Sequence, residues 1–203
     1  MGKIARVNLS KKRVLIQEVS DELILKYIGG RGWGAKILWD EVPRGADPLG
    51  PENKVIIAAG PLTGVFFPCT GKVTLCSKSP LTGAYGDSNV GGRFGVELKQ
   101  AGFDAIVIEG VSDEPIYIKV FDGEVTIEKA SHLWGLGSIE TEEVIKRDLG
   151  DGSVSCLTIG PAGENCVHFA CVTSDFGRQA GRTGIGAVLG SKRVKAVVAK
   201  GSM

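Results

Sequence analysis

The sequence is poor in metal ligands. Its two histidines are His132 and His168, and its five cysteines are Cys69, Cys76, Cys156, Cys166 and Cys171, with no C-x-x-C pair among them. Neither a zinc site nor a local iron–sulfur motif is therefore visible. The two histidines stand far apart in the chain. Both read as structural, His132 after a strand and His168 inside one. Charge of one sign is also lacking: the formal net charge is +1. No global basic field argues for nucleic acid. No stretch approaches the ~20 apolar residues of a membrane span. An odd cysteine count without a signal peptide points to a reducing cytoplasm. Cys76, Cys156 and Cys171 sit in apolar runs and read as small core residues.

Glycine is what the chain has in excess. There are 30 in 203 residues, about twice the usual share. They follow no collagen period and cluster at Gly29–Gly34, Gly83–Gly95 and Gly177–Gly190, each beside Arg or Lys. That pattern suggests backbone serving as ligand surface, although tight turns of a β-rich fold explain part of it. The remaining composition, 43% hydrophobic and 23% charged, is that of a folded soluble chain.

Strands are expected at Ile4–Leu9 and Val14–Val19, joined by Ser10-Lys11-Lys12. A short helix follows over Asp21–Ile28, capped by Ser20. Gly29-Gly30-Arg31-Gly32-Trp33-Gly34 then leads into a second helix, Ala35–Val42. Lys54–Ala59 and Lys72–Ser77 read as strands. Asp87–Gly92 reads as a polar loop opening the helix Arg93–Ala101, with Gly102 at its end. Strands follow at Ala105–Glu109, Ile116–Phe121 and Glu124–Lys129, the last two linked by the hairpin signal Asp122-Gly123. A helix begins at Ser138, with Glu residues early and Lys146 and Arg147 late, matching its dipole. Val154–Ile159, Val167–Val172 and Val194–Lys200 complete the strands.

The second half echoes the first. Ile57-Ala58-Ala59-Gly60-Pro61 matches Leu157-Thr158-Ile159-Gly160-Pro161. Each is followed by a strand near a cysteine, a polar Gly-rich loop (Asp87–Gly92 or Asp175–Gly184), a helix entered through Gly95 or Gly186, and a final apolar strand. The expected duplication covers residues 54–110 and 153–201. Packing about a pseudo-two-fold axis would bring the two loops together. The second carries Arg178-Gln179-Ala180-Gly181-Arg182-Thr183-Gly184-Ile185-Gly186. Two guanidinium forks among glycines before a helix suit a multiply anionic, phosphate-bearing ligand. By itself the segment reads more readily as a Gly-rich turn with both Arg in solvent, because such turns far outnumber cofactor loops.

Taken together, several motifs resemble the N-terminal domain of the tungsten-containing aldehyde:ferredoxin oxidoreductases, over essentially the whole chain. They are Ile56–Gly64 (IIAAGPLTG), Ser77–Gly83 (SKSPLTG), Phe94–Lys99 with Ala101–Ile106, Ile159–Asn165 (IGPAGEN), and Ala180-Gly181-Arg182 with Gly184–Lys192. The resemblance implies an α+β fold: duplicated β-rich units, each with a helix, forming a base beneath a tungsten bis-pterin cofactor of the molybdopterin type. It carries pterin contacts to Lys72, Asn89, Gly91, Arg178, Gln179, Gly181 and Arg182. Lys72 stands where the family members have Arg, so charge is kept and the bidentate fork is lost. Asn89 and Gln179 fall where Mg2+ bridges the two pterin phosphates, through backbone carbonyls.

The resemblance further implies a 4Fe–4S cluster, ligated by residues outside these 203, that passes electrons from an aldehyde to ferredoxin. No catalytic residue falls in this stretch. The chain is therefore read as a single cofactor-base domain cut from a longer enzyme and inactive by itself. Its partners would be the C-terminal domains of the same chain, ferredoxin, a small aldehyde and a second copy as homodimer, with no nucleic acid or membrane. Two other readings stand beside it: a stand-alone anion- or nucleotide-binding module without redox activity, and a scaffold whose loops serve subunit contact.

Overall fold

The computed structural model describes residues 2–202. Twelve strands form two six-stranded sheets among the described residues. The first sheet contains β1 (Lys3–Asn8), β2 (Arg13–Glu18), β3 (Val55–Ala59), β4 (Val73–Lys78), β5 (Tyr85–Val90) and β6 (Ala105–Glu109). The second contains β7 (Ile116–Phe121), β8 (Glu124–Lys129), β9 (Ser155–Thr158), β10 (Val172–Ser174), β11 (Arg178–Ala180) and β12 (Val194–Lys200). Their orders are β2-β1-β6-β3-β4-β5 and β8-β7-β12-β9-β10-β11. In each, one pair is parallel, β1 with β6 and β7 with β12, and the other pairs are antiparallel. The two units thus share one topology. The correspondence includes the hairpins β1–β2 and β7–β8, which lie outside the stretches matched by sequence alone.

Six helices complete the described chain: α1 (Asp21–Tyr27), α2 (Arg31–Glu41), α3 (Phe94–Gln100), α4 (Ser138–Leu149), α5 (Pro161–Glu164) and α6 (Ile185–Ser191). Helices α3 and α6 each touch strands of both sheets and lie between them. The central core joins Val7, Ile57 and Leu75 of the first sheet, Ile118, Leu157 and Val197 of the second, and Phe94, Leu98, Val188 and Leu189 of the two helices. Alternate strand residues face outward. Ile56, Cys76 and Val107 meet Trp33, Ile37 and Leu38 of α2. Cys156 and Val198 meet Ile145 of α4 and Leu133. A strand covered on both faces must be apolar throughout, and β3, with sequence VIIAA, is buried at every position.

Local signals act as their chemistry predicts. Ser20 Oγ accepts from Leu23 N at 3.2 Å at the start of α1. Gly102 follows α3 with φ +91°. Asp122 and Gly123 have φ +41° and +87°, the left-handed pair that a two-residue hairpin turn requires.

Several expectations are corrected. The run Arg31-Gly32-Trp33-Gly34 is helical rather than a loop: α2 begins at Arg31. A Cβ on Gly32 would stand 2.2 Å from Tyr27 O, and one on Gly34 2.3 Å from Cys76 Sγ. Those glycines allow α2 to approach the end of α1 and strand β4, and they do not face a ligand. Asp87–Val90 is not a loop but the second part of β5. Its sequence, YGDSNV, has little β-propensity, yet each residue is paired to β4, as in Asn89 with Thr74. Likewise Arg178–Ala180 is a strand, paired to β10.

The expected strand Val167–Val172 does not form; only Val172–Ser174 pairs. Val167 N is drawn to Ala162 O and Ala170 N to Val167 O, which curls the segment after α5 into turns. His168 therefore lies in a turn, not in a strand. Cys171, expected in the core, is exposed for the same reason, whereas Cys76 and Cys156 are buried. His132 lies in a short 3₁₀ turn, its Nε2 3.2 Å from Asp148 Oδ2, both well exposed. No described helix is long and apolar enough to cross a membrane.

Candidate functional site

Strands β5 and β11 are the outer strands of their sheets, and they lie against each other. The sequence-predicted contacts gather along this seam. Asn89 is directly paired with Thr74, and Gln179 with Thr173, so the two amides occupy equivalent places in the two units. Their local bonds repeat as well. Thr74 Oγ1 donates to Asn89 Oδ1 at 2.7 Å, and Thr173 Oγ1 donates to Gln179 Oε1 at 3.1 Å. Each amide oxygen is held by a hydroxyl, and each NH2 is left as a donor. Beyond each lies a glycine: Asn89-Val90-Gly91 in one unit and Gln179-Ala180-Gly181 in the other.

These two glycines differ from the others around them. A Cβ on Gly184 would stand 1.8 Å from His168 O, on Gly186 2.4 Å from Cys171 O, and on Gly190 1.8 Å from Gly163 O. Tight packing of α6 against α5 and the turn before β10 explains those three. A Cβ on Gly91 would meet nothing closer than Arg178 Nη1 at 3.8 Å, and on Gly181 nothing closer than Cys171 Sγ at 3.6 Å. Neither has a positive φ. Folding does not demand glycine at either position, whereas close approach of a bound group over the backbone would.

Arg178, Gln179, Gly181 and Arg182 are all exposed, as are Asn89 and Lys72. Lys72 immediately precedes β4, one step beyond the pairing of Val73 with Val90, and so adjoins Gly91. Among the described residues, Lys72, Arg178 and Arg182 have no carboxylate within ion-pair distance. Arg31 and Arg93, by contrast, are paired with Asp87 and Glu97. The seam thus presents three uncompensated cations, two amides and two open glycines on one stretch of surface, a donor set suited to phosphate oxygens.

Sequence reading missed what holds the seam together. Arg93 N donates to Asp175 Oδ2 at 2.6 Å, Arg182 N to Ser88 Oγ at 3.1 Å, and Ser79 Oγ to Thr183 O at 2.8 Å. Each bond joins one unit to the other. A Cβ on Gly86 would lie 2.6 Å from Thr183 Cβ, so β5 needs glycine there to meet its neighbour. One signal was available: the dipeptides Val73-Thr74 and Val172-Thr173 recur at equivalent positions and mark the hydroxyls that hold the amides.

Matched sheets, a helix pair between them and a cationic seam where their edges meet define a duplicated α+β domain. The chain matches the family described as "Aldehyde ferredoxin oxidoreductase, N-terminal domain" over residues 4–201, and it belongs to that family. It is 50% identical over 201 residues to the tungsten-containing aldehyde ferredoxin oxidoreductase of Thermococcus kodakarensis (99% of this chain, 33% of that protein). It is 39% identical over 216 residues to the Pyrococcus furiosus aliphatic sulfonate oxidoreductase, WOR-like subunit (99% of this chain, 34% of that protein). Among solved structures, the active site complex BamBC of benzoyl coenzyme A reductase superposes with a TM-score of 0.96 at 40% identity, covering 99% of this chain and 31% of that one. The chain spans about a third of the length of these relatives.

Proposed function

We propose that this chain is the cofactor-binding N-terminal part of a longer tungsten–pterin oxidoreductase that oxidises an aldehyde to a carboxylic acid and passes electrons through a 4Fe–4S cluster to ferredoxin. The observation that carries this reading is the repeated Asn89-x-Gly91 and Gln179-x-Gly181 on facing edges, flanked by the unpaired Arg178 and Arg182. A cofactor with two pterin halves would meet two equivalent protein edges. When bound, the metal and its sulfur ligands would supply the redox chemistry.

This chain's own residues bind and orient. Arg178 and Arg182 neutralise phosphate, Lys72 adds a positive charge beside Gly91, and Gly91 and Gly181 let the backbone come close. Asn89 and Gln179 would hold a magnesium ion, a hard cation that prefers oxygen, through their backbone carbonyls. Their side-chain oxygens already accept from Thr74 and Thr173, which favours the backbone as donor. Five unpaired cysteines accord with a reducing cytoplasm.

The aldehyde is the least local part of this reading. A sulfonate oxidoreductase subunit and a benzoyl coenzyme A reductase complex each match nearly the whole of this chain, which supports a substrate choice made by the further chain. The exposed apolar side chains Leu62, Phe66 and Phe67 suit a surface that such further chain would cover. Replacing Arg178 and Arg182 together by Ala in the full-length protein should lower both tungsten and pterin per chain, measured by elemental analysis and by oxidised-pterin fluorescence. Unchanged contents of both would refute the assignment.

A further inference from the structure

Arg178 follows a turn that few sequences would adopt unaided. Asp175, Phe176 and Gly177 have φ of +44°, +58° and +152° in succession. Left-handed backbone at two consecutive non-glycine residues is disfavoured and persists only where the surroundings hold it. Here they do so from three sides. Asp175 Oδ2 accepts from Arg93 N at 2.6 Å, and Asp175 Oδ1 accepts from Ser155 Oγ at 2.8 Å. Glu142 of α4, almost fully buried, accepts from Phe176 N through Oε2 at 2.9 Å. Lys146, one helical turn on, pairs with Glu142 at 2.8 Å and lies over the Phe176 ring, 4.2 Å from its centroid.

Asp175 reaches the other unit through its side chain. Its carboxylate fills the space a side chain at Gly92 would need, since a Cβ there would stand 1.9 Å from Oδ2. It therefore fixes the Gly91–Arg93 segment against the start of β11. A Cβ on Gly91 would lie 3.8 Å from Arg178 Nη1, so the guanidinium and the open glycine are neighbours across the seam.

We infer that Asp175, seated by Glu142 and Lys146 through Phe176, is a positioning residue that sets Arg178 against Gly91 and so determines how tightly the seam holds phosphate groups. The inference rests on the anion-binding reading proposed above. The negative charge of Asp175 is turned inward, onto the Arg93 amide and the Ser155 hydroxyl.

The test uses the full-length protein stripped of cofactor, titrated with inorganic pyrophosphate and Mg2+ by calorimetry. Asp175→Gly keeps the left-handed backbone free of steric cost and removes both side-chain bonds. It should weaken pyrophosphate binding about tenfold or more, the equivalent of one charge-assisted hydrogen bond. Asp175→Asn tolerates the left-handed backbone, can accept from Arg93 N and can donate to Ser155 Oγ, so it should bind within about threefold of the parent. Phe176→Ala, at a half-exposed ring, should weaken binding by about threefold and serves if Asp175→Gly does not fold.

A merely structural role would add to any other change. The positioning role predicts that neither Asp175→Gly nor Phe176→Ala has a further effect once Arg178 is Ala. Additive losses in that background would overturn the inference, as would parent-like binding by Asp175→Gly while Arg178→Ala is weakened. If Arg178→Ala leaves binding unchanged, the anion-binding reading falls first and takes this inference with it.

Discussion

Lys192, at the end of α6, is fully buried. Its Nζ donates to Gly110 O at 3.1 Å and Gly50 O at 3.3 Å, and no carboxylate among the described residues pairs with it. Burial pushes its pKa down from 10.5 to about 8, against the pull of Glu109 and with a smaller push from Lys54. The sign follows from proton counting. Between about pH 8 and 10.5 the unfolded chain holds a proton on this lysine that the folded chain has released, so stability rises with pH across that window. Below pH 8 both states are charged, and the folded state carries the whole penalty. The shift corresponds to about 3 kcal/mol gained between pH 7 and pH 10.5, at up to about 1.4 kcal/mol per pH unit.

Lys192→Met keeps the length and apolar stem and removes the charge. Urea unfolding of both chains at intervals from pH 7 to 9.5 gives stability against pH for each. The mutant's absolute stability is a separate matter, because Gly50 O and Gly110 O lose a donor. The difference in slope isolates the lysine. Cys76, whose thiol burial pushes up to about 11, acts with the opposite sign above pH 9, but it does so equally in both chains. Parallel curves would refute the placement of Lys192 as a buried, depressed cation.

Two further measurements follow from packing and pairing. Gly190→Ala would set a Cβ 1.8 Å from the backbone oxygen of Gly163 and should cost about 3 kcal/mol or more by denaturant unfolding. Gly181→Ala, with 3.6 Å to its nearest neighbour, should leave stability within about 0.5 kcal/mol yet weaken pyrophosphate binding; equal destabilisation by both would contradict the division of the glycines. Lys195 is buried against Glu164, which also accepts from Gly135 N at 2.9 Å. Lys195→Met alone should cost about 3–5 kcal/mol by leaving that carboxylate unpaired, and adding Glu164→Gln should recover part of it; no recovery in the double variant would deny the pairing.

Helices and hairpins were the most legible elements, because their signals are local. Ser20, Gly102 and Asp122-Gly123 act through the backbone within a few residues, and each does so in the structure. Strands β5, β10 and β11 were misread for the opposite reason. Tyr85–Val90 and Arg178–Ala180 have polar, glycine-containing or very short sequences that take strand form only because β4 and β10 supply partners. Val167–Cys171 has the composition of a strand but no partner to make it one, and its amides are satisfied by turns.

The glycine clusters show where one dimension ends. In sequence, all the glycines of 177–190 look alike as ligand-facing backbone. In three dimensions Gly184, Gly186 and Gly190 are consumed by carbonyls of neighbouring segments, and Gly181 alone of these four has open space with an ordinary φ. The duplication itself could be read from the chain, because repeated strand–loop–helix patterns survive as repeated letters. The full extent of the units could not, because the hairpins β1–β2 and β7–β8 share topology without sharing letters. The sequence determined the two units, the basic character of Arg178–Arg182 and the family. Only the tertiary structure decided that β5 and β11 meet and that Asp175 joins them, because such contacts lie between residues 82 positions apart and depend on how two complete sheets pack.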